Sequence, residues 1–334
     1  MLRYILSRIA WSIGAIFAVL VANFIIVRVV PGDPIDAIVG EYPAPPEYVA
    51  TLREQLGLDQ PIFVQLVKYL EQLASGNLGF SFSNRQEILP LLMDKAQFSL
   101  MLMVPGLTLA SILGVLLAAA GARRPGTAAD SATAAVSLVG FSMPVFWLGQ
   151  LLILLFAVNL GWLPAQGMGA DDSEVGFFPA VGSRIQHLVL PVTCITLFYM
   201  AVIARVSRSA IASSLSQDYV KSALTRGVSE RYALWRHGVR SAAGPIVTVI
   251  GYNFGSVLTG AVLTETVFSW PGLGGLFVQA ISNRDYAVVQ GVFLLTGIAV
   301  VIANIAVDLI TAAMDPRVKS VAFRRTRARS VVLP

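Results

Sequence analysis

The chain has 334 residues, of which 56% are apolar and only 13% charged, with a mean hydropathy of +0.72. A water-soluble globule carries about 25% charge, so that class is excluded. One cysteine (Cys194) excludes a disulfide framework, and two histidines (His187 and His237) leave little for a histidine metal cage. What remains is an all-α integral membrane protein.

The uncharged stretches follow one another along the chain. Nineteen residues separate Arg8 from Arg28, 27 separate Lys95 from Arg123, and 40 separate Asp130 from Asp171. Another 20 separate Arg184 from Arg205, 24 separate Arg240 from Glu265, and 22 separate Asp285 from Asp308. A bilayer core of about 30 Å needs about 20 helical residues, so each stretch holds one span and six transmembrane helices are expected. Within the 40-residue stretch, Gly161-Trp162-Leu163-Pro164 reads as an interfacial turn. The run Ile9–Val27 is longer than a signal core and leads into Arg28-Val29-Val30-Pro31 rather than small cleavage-site residues, which makes it a retained helix.

Charge orients the spans. Segments 1–8, 121–130, 205–243 and 313–334 hold 17 Lys and Arg, whereas 31–97, 159–187 and 266–286 hold six, together with 13 of the 19 acids. The positive-inside rule then places both termini in the cytoplasm of a multi-pass plasma-membrane protein. The basic tail around Arg324, Arg325, Arg327 and Arg329 is assigned to the anionic lipid surface, not to nucleic acid.

The organisation has four parts: a first helix over 1–30, an extracytoplasmic cap over 31–97, a five-helix core over 96–313, and a basic tail over 314–334. The cap opens on the turn cluster Pro31-Gly32-Asp33-Pro34 and contains helical spacing over 52–56 and 63–73. The core carries a polar loop over 207–243. Within that loop Tyr219, Val220, Ala223 and Leu224 recur at the spacing of an amphipathic helix that begins at Asp218. Gly227 supplies the stop, and Ser229 with Glu230 supplies the cap and first turn of a second helix. A short helix, a glycine and a second helix make a docking knob with an apolar face to cover.

The segment Asp218-Tyr219-Val220-Lys221-Ser222-Ala223-Leu224-Thr225-Arg226-Gly227-Val228-Ser229-Glu230-Arg231, with His237 and Pro245 downstream, resembles the cytoplasmic coupling loop of ABC-importer permeases. It is most similar to the dipeptide, oligopeptide and nickel branch of that family. Pro31-Gly32-Asp33-Pro34 with Leu56-Gly57-Leu58-Asp59-Gln60-Pro61 resembles the outer cap of that branch. Glu265-Thr266-Val267-Phe268-Ser269-Trp270-Pro271-Gly272-Leu273-Gly274 with Asn283-Arg284-Asp285-Tyr286 resembles its last outer loop, and Asp308-Leu309 with Asp315-Pro316-Arg317 its C-terminal end. Where the generic loop begins Glu-Ala-Ala, this chain has Lys221-Ser222-Ala223.

The resemblance implies a type I ABC importer permease fold and a chain that is not itself an enzyme. It implies a second homologous permease, two ATP-binding subunits that hold the ATP and Mg, and an extracytoplasmic solute-binding protein as partners. The substrate class it implies is di- or oligopeptides or a similar small solute. Consistently, no G-x-x-x-x-G-K-[ST] phosphate loop occurs.

Each singled-out residue also has a plainer assignment. Gly227 serves as a helix stop whether or not a partner docks there, and Arg226 and Arg231 obey the inner-side charge bias. His237 reads as a surface or interface residue, and Cys194 as a small packing residue. Glu265, an acid near the end of a span, either lines the translocation path or outer gate or reaches the headgroups. Tyr252, Asn253 and Ser256 are further path candidates, on a helix whose Gly251 and Gly255 form a G-x-x-x-G pair. The competing function is an ion-coupled secondary carrier without an ATPase, which would call for acids or broken helices near mid-membrane. No H-E-x-x-H or G-x-S-x-G motif speaks for an intramembrane enzyme.

Overall fold

The computed structural model describes residues 2–29, 35, 45–55, 57–81, 83–169, 176–255 and 261–314. The turn at 31–34, Ser256, the Asp315-Pro316-Arg317 segment and the basic tail lie outside the described residues.

Helix α1 spans Leu2–Val29. Two short helices follow, α2 over Pro46–Gln55 and α3 over Ile62–Ala74. A minimal hairpin then pairs β1 (Phe80–Ser81) antiparallel with β2 (Gln86–Glu87), Phe80 opposite Glu87. It leads directly into α4, Ile88–Ala122, whose last charged residue is Lys95.

The next stretch departs from a single straight span. Helix α5 covers Ala128–Ser142, and α6 begins at Val145 and runs to Leu152, continuing as a π-helical stretch over Ile153–Asn159. The two segments meet at a bend of 100°. The cause is local: Pro144 has no amide hydrogen to donate, and its ring forces Met143 into an extended conformation (φ −86°, ψ 123°).

Helix α7 spans Phe177–Leu215 and tolerates Pro191 in its interior. The polar loop follows as α8 (Asp218–Thr225) and α9 (Glu230–Ala233), the latter continuing as a π-helical stretch over Leu234–Val239. Then come α10 (Ala243–Gly255), α11 (Val262–Phe268), α12 (Leu273–Ser282) and α13 (Tyr286–Met314).

Among the described residues, α4, Phe178–Leu215 of α7 and Tyr286–Thr311 of α13 are each long and apolar enough to cross a membrane, and the bent α5–α6 pair makes a fourth crossing if taken as one span. The apolar part of α1 over Ala10–Ile25 is shorter, as is α12. The fifth expected span is divided between α10 and α11, with 256–260 outside the described residues.

Three apolar clusters hold the helices together. The largest joins Ile88, Leu92, Leu102 and Leu107 of α4 to Ile195 of α7, Trp270, Leu273 and Leu276 near α12, and Val288 and Val292 of α13. A second sits beneath the polar loop, where Ala118, Ala119 and Ala122 of α4 meet Ile211, Leu234, Ala242 and Ile246. The third packs Leu152 against Leu190, Cys194 and Phe268. Cys194 is fully buried there and donates to the Val145 carbonyl at 3.4 Å, as a packing residue would.

Candidate functional site

The polar loop folds into a knob built from its own termination signals. Asp218 stands in the first turn of α8, where a negative charge suits the helix dipole. The helix ends in a Schellman arrangement: Gly227 N donates to Leu224 O at 3.0 Å and Val228 N to Ala223 O at 3.2 Å. That geometry needs a left-handed residue, and Gly227 has φ +90°. Arg226 folds back, its Nε donating to Ser222 O at 3.0 Å. Two residues on, Ser229 Oγ accepts from Tyr232 N at 3.4 Å and starts α9.

The four apolar residues expected on one face of α8 divide between two environments. Val220 and Ala223 are buried, while Tyr219 and Leu224 stay exposed. Tyr219 packs edge-on against His237 (centroids 5.9 Å apart), which packs in the same way against Tyr232 (6.2 Å), and Tyr219 Oη lies 3.0 Å from Ser241 Oγ. These aromatic contacts tie α8 to α9. Beside them lies an open groove of about 540 Å³ lined by Ser229, Arg231, Tyr232, Trp235, Arg236 and Arg240.

The knob is keyed to the spans rather than hung from them. Leu234 is buried in the inner apolar cluster. Glu230 accepts from Arg124 Nη2 at 3.0 Å and pairs with Arg123 Nη2 at 3.2 Å, at the end of α4. The Arg124 hydrogen bond and charge, followed by those of Arg123, hold the Glu230 carboxyl below the usual glutamate range. A second tie lies on the same side: Arg208 of α7 donates Nε to Asp130 Oδ1 at 2.6 Å, and Gly126 N donates to Asp130 Oδ2 at 2.9 Å.

Nothing in the sequence pattern marked Arg123 and Arg124 beyond their sign. Their pairing with Glu230 crosses more than a hundred positions, and only the parallel run of α4 beside α7, with Gly106 against Ile195 and Gly114 against Ile203, brings it about. Trp235 and Arg240 were likewise legible as apolar and basic positions, but not as walls of one groove.

On the opposite side, Glu265 is fully buried. Ser99 Oγ donates to its Oε1 at 2.6 Å, and Gly274 N and Gly275 N donate to its Oε2 at 2.7 and 3.2 Å. Ser99 Oγ in turn accepts from Leu273 N at 2.9 Å. The carboxylate thus sits inside the packing, where it caps α12 and ties it to α4, instead of opening onto a groove or reaching outward. Tyr252 is 70% exposed while its neighbour Asn253 is buried, so the two do not share a face; Ser256 lies outside the described residues. Among the described residues no group of three or more His, Cys, Asp or Glu is placed to hold a metal ion.

Long apolar helices, a two-helix knob keyed to their ends, and arginines concentrated around that knob define a multi-pass membrane protein with a built docking surface. The chain belongs to the family described as binding-protein-dependent transport system inner membrane component, which matches residues 86–320; the N-terminal part of that membrane component matches residues 1–103. It is similar to the di/tripeptide transport system permease protein DppB of Pseudomonas aeruginosa (strain UCBPP-PA14), 37% identical over 333 residues, covering 96% of this chain and 99% of that protein. The dipeptide transport system permease protein DppB of Escherichia coli K12 is 34% identical over 336 residues, with 96% and 99% covered. The protein of the same description from Alkalihalophilus pseudofirmus is also 34% identical, with 96% and 100% covered. Membership makes this chain a transport subunit of the inner membrane, not an enzyme.

Proposed function

We propose that the chain is the permease subunit of an ATP-driven ABC importer for di- or oligopeptides and forms half of the translocation path with a second, homologous permease. Its six spans leave both termini in the cytoplasm. Two ATP-binding subunits supply the hydrolysis with their ATP and Mg, and an extracytoplasmic binding protein delivers the solute. The peptide assignment rests on the relatives, which are named for di- and tripeptide transport.

The observation that carries the coupling role is the knob itself. Its outer surface presents Tyr219, Leu224, Tyr232 and Trp235, all more than a third exposed, while Leu234 and Glu230 fix it to the spans. A surface of this kind suits a groove on an ATPase, and a rigid root transmits that subunit's movement to α4 and α7 as a lever. Asp218, Val220, Ala223, Arg226, Gly227, Ser229, Arg231 and His237 build or cap it.

Gly227→Val tests this. Nothing lies within 4 Å of a Cβ placed there, so the cost comes from φ +90° alone, about 1–3 kcal/mol confined to the turn. The assembled transporter is expected to insert normally and to hydrolyse ATP without importing peptide, whereas Gly227→Asn, which tolerates the left-handed region, should retain import. Import by the valine variant at the parental rate would sink the coupling role.

A further inference from the structure

Helix α3 is the most one-sided helix in the cap, yet none of its residues is buried. Leu66, Tyr69, Leu70 and Leu73 are half-buried toward the rest of the chain. Ile62 and Phe63, by contrast, are 68% and 74% exposed, and Val67, one turn on from Phe63, is exposed beside them. Such a row facing water is unfavourable, so the depth at which α3 is held decides what covers it.

Two contacts measure that depth. Tyr69 packs against Phe24 of α1 with ring centroids 5.6 Å apart, and Asn23 Nδ2 donates to Tyr69 Oη at 3.4 Å. Phe24 lies inside the uncharged run that ends at Val27, before Arg28; at 1.5 Å per residue this is about 5 Å inside the end of the run. Asn23 also donates to the Gln290 carbonyl of α13 at 2.9 Å. Gln290 is likewise inside its own uncharged run, five residues past Asp285, which is about 7 Å along the helix. The two rulers, on different spans, agree. Tyr69 is anchored below the level at which the flanking charges leave the membrane, in the band about 5–10 Å deep where interfacial amphipathic helices lie. Ile25, next to Phe24 on α1, is half-exposed and extends the apolar surface at that level.

We infer that α3 is an interfacial membrane helix whose Ile62, Phe63 and Val67 insert into the outer leaflet, so that the cap rests on lipid. This rests on the proposed six-span arrangement, and the experiment separates the two. An environment-sensitive fluorophore is attached to single cysteines replacing Phe63, Gln72 or Phe17 in the assembled transporter, in a Cys194→Ala background. The transporter is reconstituted in phosphatidylethanolamine–phosphatidylglycerol vesicles carrying a nitroxide either near the headgroup or near the chain end. At position 63 the shallow nitroxide is expected to quench at least about twofold more than the deep one, as an interfacial depth requires, while position 72 stays in water and is quenched by neither.

Position 17, on the exposed face of α1, reports on the span itself. Quenching there by the deep nitroxide with none at position 63 overturns the lipid assignment alone. No quenching at position 17 overturns the span arrangement on which it rests. A fluorophore at position 63 that is shielded from water yet unquenched, or shielded only when the binding protein is added, assigns the face to a protein partner and likewise overturns the inference.

Discussion

At the scale of single residues, Glu265 has the clearest consequence. All three of its donors are neutral: the Ser99 hydroxyl and the Gly274 and Gly275 amides. A carboxylate accepts from all of them. A carboxamide of the same shape turns its NH₂ either toward the two backbone amides, setting donors face to face, or toward the Ser99 hydroxyl, which accepts it and then lacks an acceptor for its own hydrogen. Glu265→Gln is therefore expected to cost about 1–3 kcal/mol, read as a lower unfolding temperature of the purified protein in detergent. An unchanged unfolding temperature would mean that the cap on α12 is not held by this side chain. An acid near a span end is conspicuous in the sequence. That its partners are amides nine and ten positions downstream, and a serine far upstream, is not.

At the scale of elements, helix pairs are set by how closely backbones approach. In α10, a Cβ on Gly251 would collide with the Val307 side chain of α13, and one on Gly255 would press on Ala303 at 3.3 Å. The G-x-x-x-G pair is thus a packing surface for α13. Gly251→Ala is expected to destabilise the detergent-solubilised protein by about 1–3 kcal/mol through overpacking. Adding Val307→Ala should restore most of that loss in a double-mutant cycle. Independent, additive losses would separate the two helices at that point. The same scale explains the bend between α5 and α6: one proline turns the expected single span through 100°.

At the scale of the whole molecule, the chain is incomplete as a machine. It carries a knob with a polar root and an exposed aromatic surface, and a cap with an uncovered apolar helix, but no phosphate loop. Affinity capture of the tagged chain from gently solubilised membranes, read by mass spectrometry, is expected to bring down an ATP-binding subunit, a second permease and a solute-binding protein. Repeated recovery of the folded chain alone would favour a solitary ion-coupled carrier and leave the knob without a partner.

Composition and uncharged run lengths were enough for the membrane class, because the bilayer core excludes charge whatever the helices pack against. Helix ends in the polar loop were legible for a related reason: the glycine stop at Gly227 and the serine cap at Ser229 act within a few residues of themselves. Side-chain pairing belonged to the tertiary structure. Glu230 meets Arg123 and Arg124, Asp130 meets Arg208, and Glu265 meets Ser99 only after distant helices lie side by side. In an apolar chain most positions look alike to a periodicity count. Which of them are packed inside and which stay on the surface is decided by the packing of one helix on another, as the buried Glu265 and the exposed Phe63 each show.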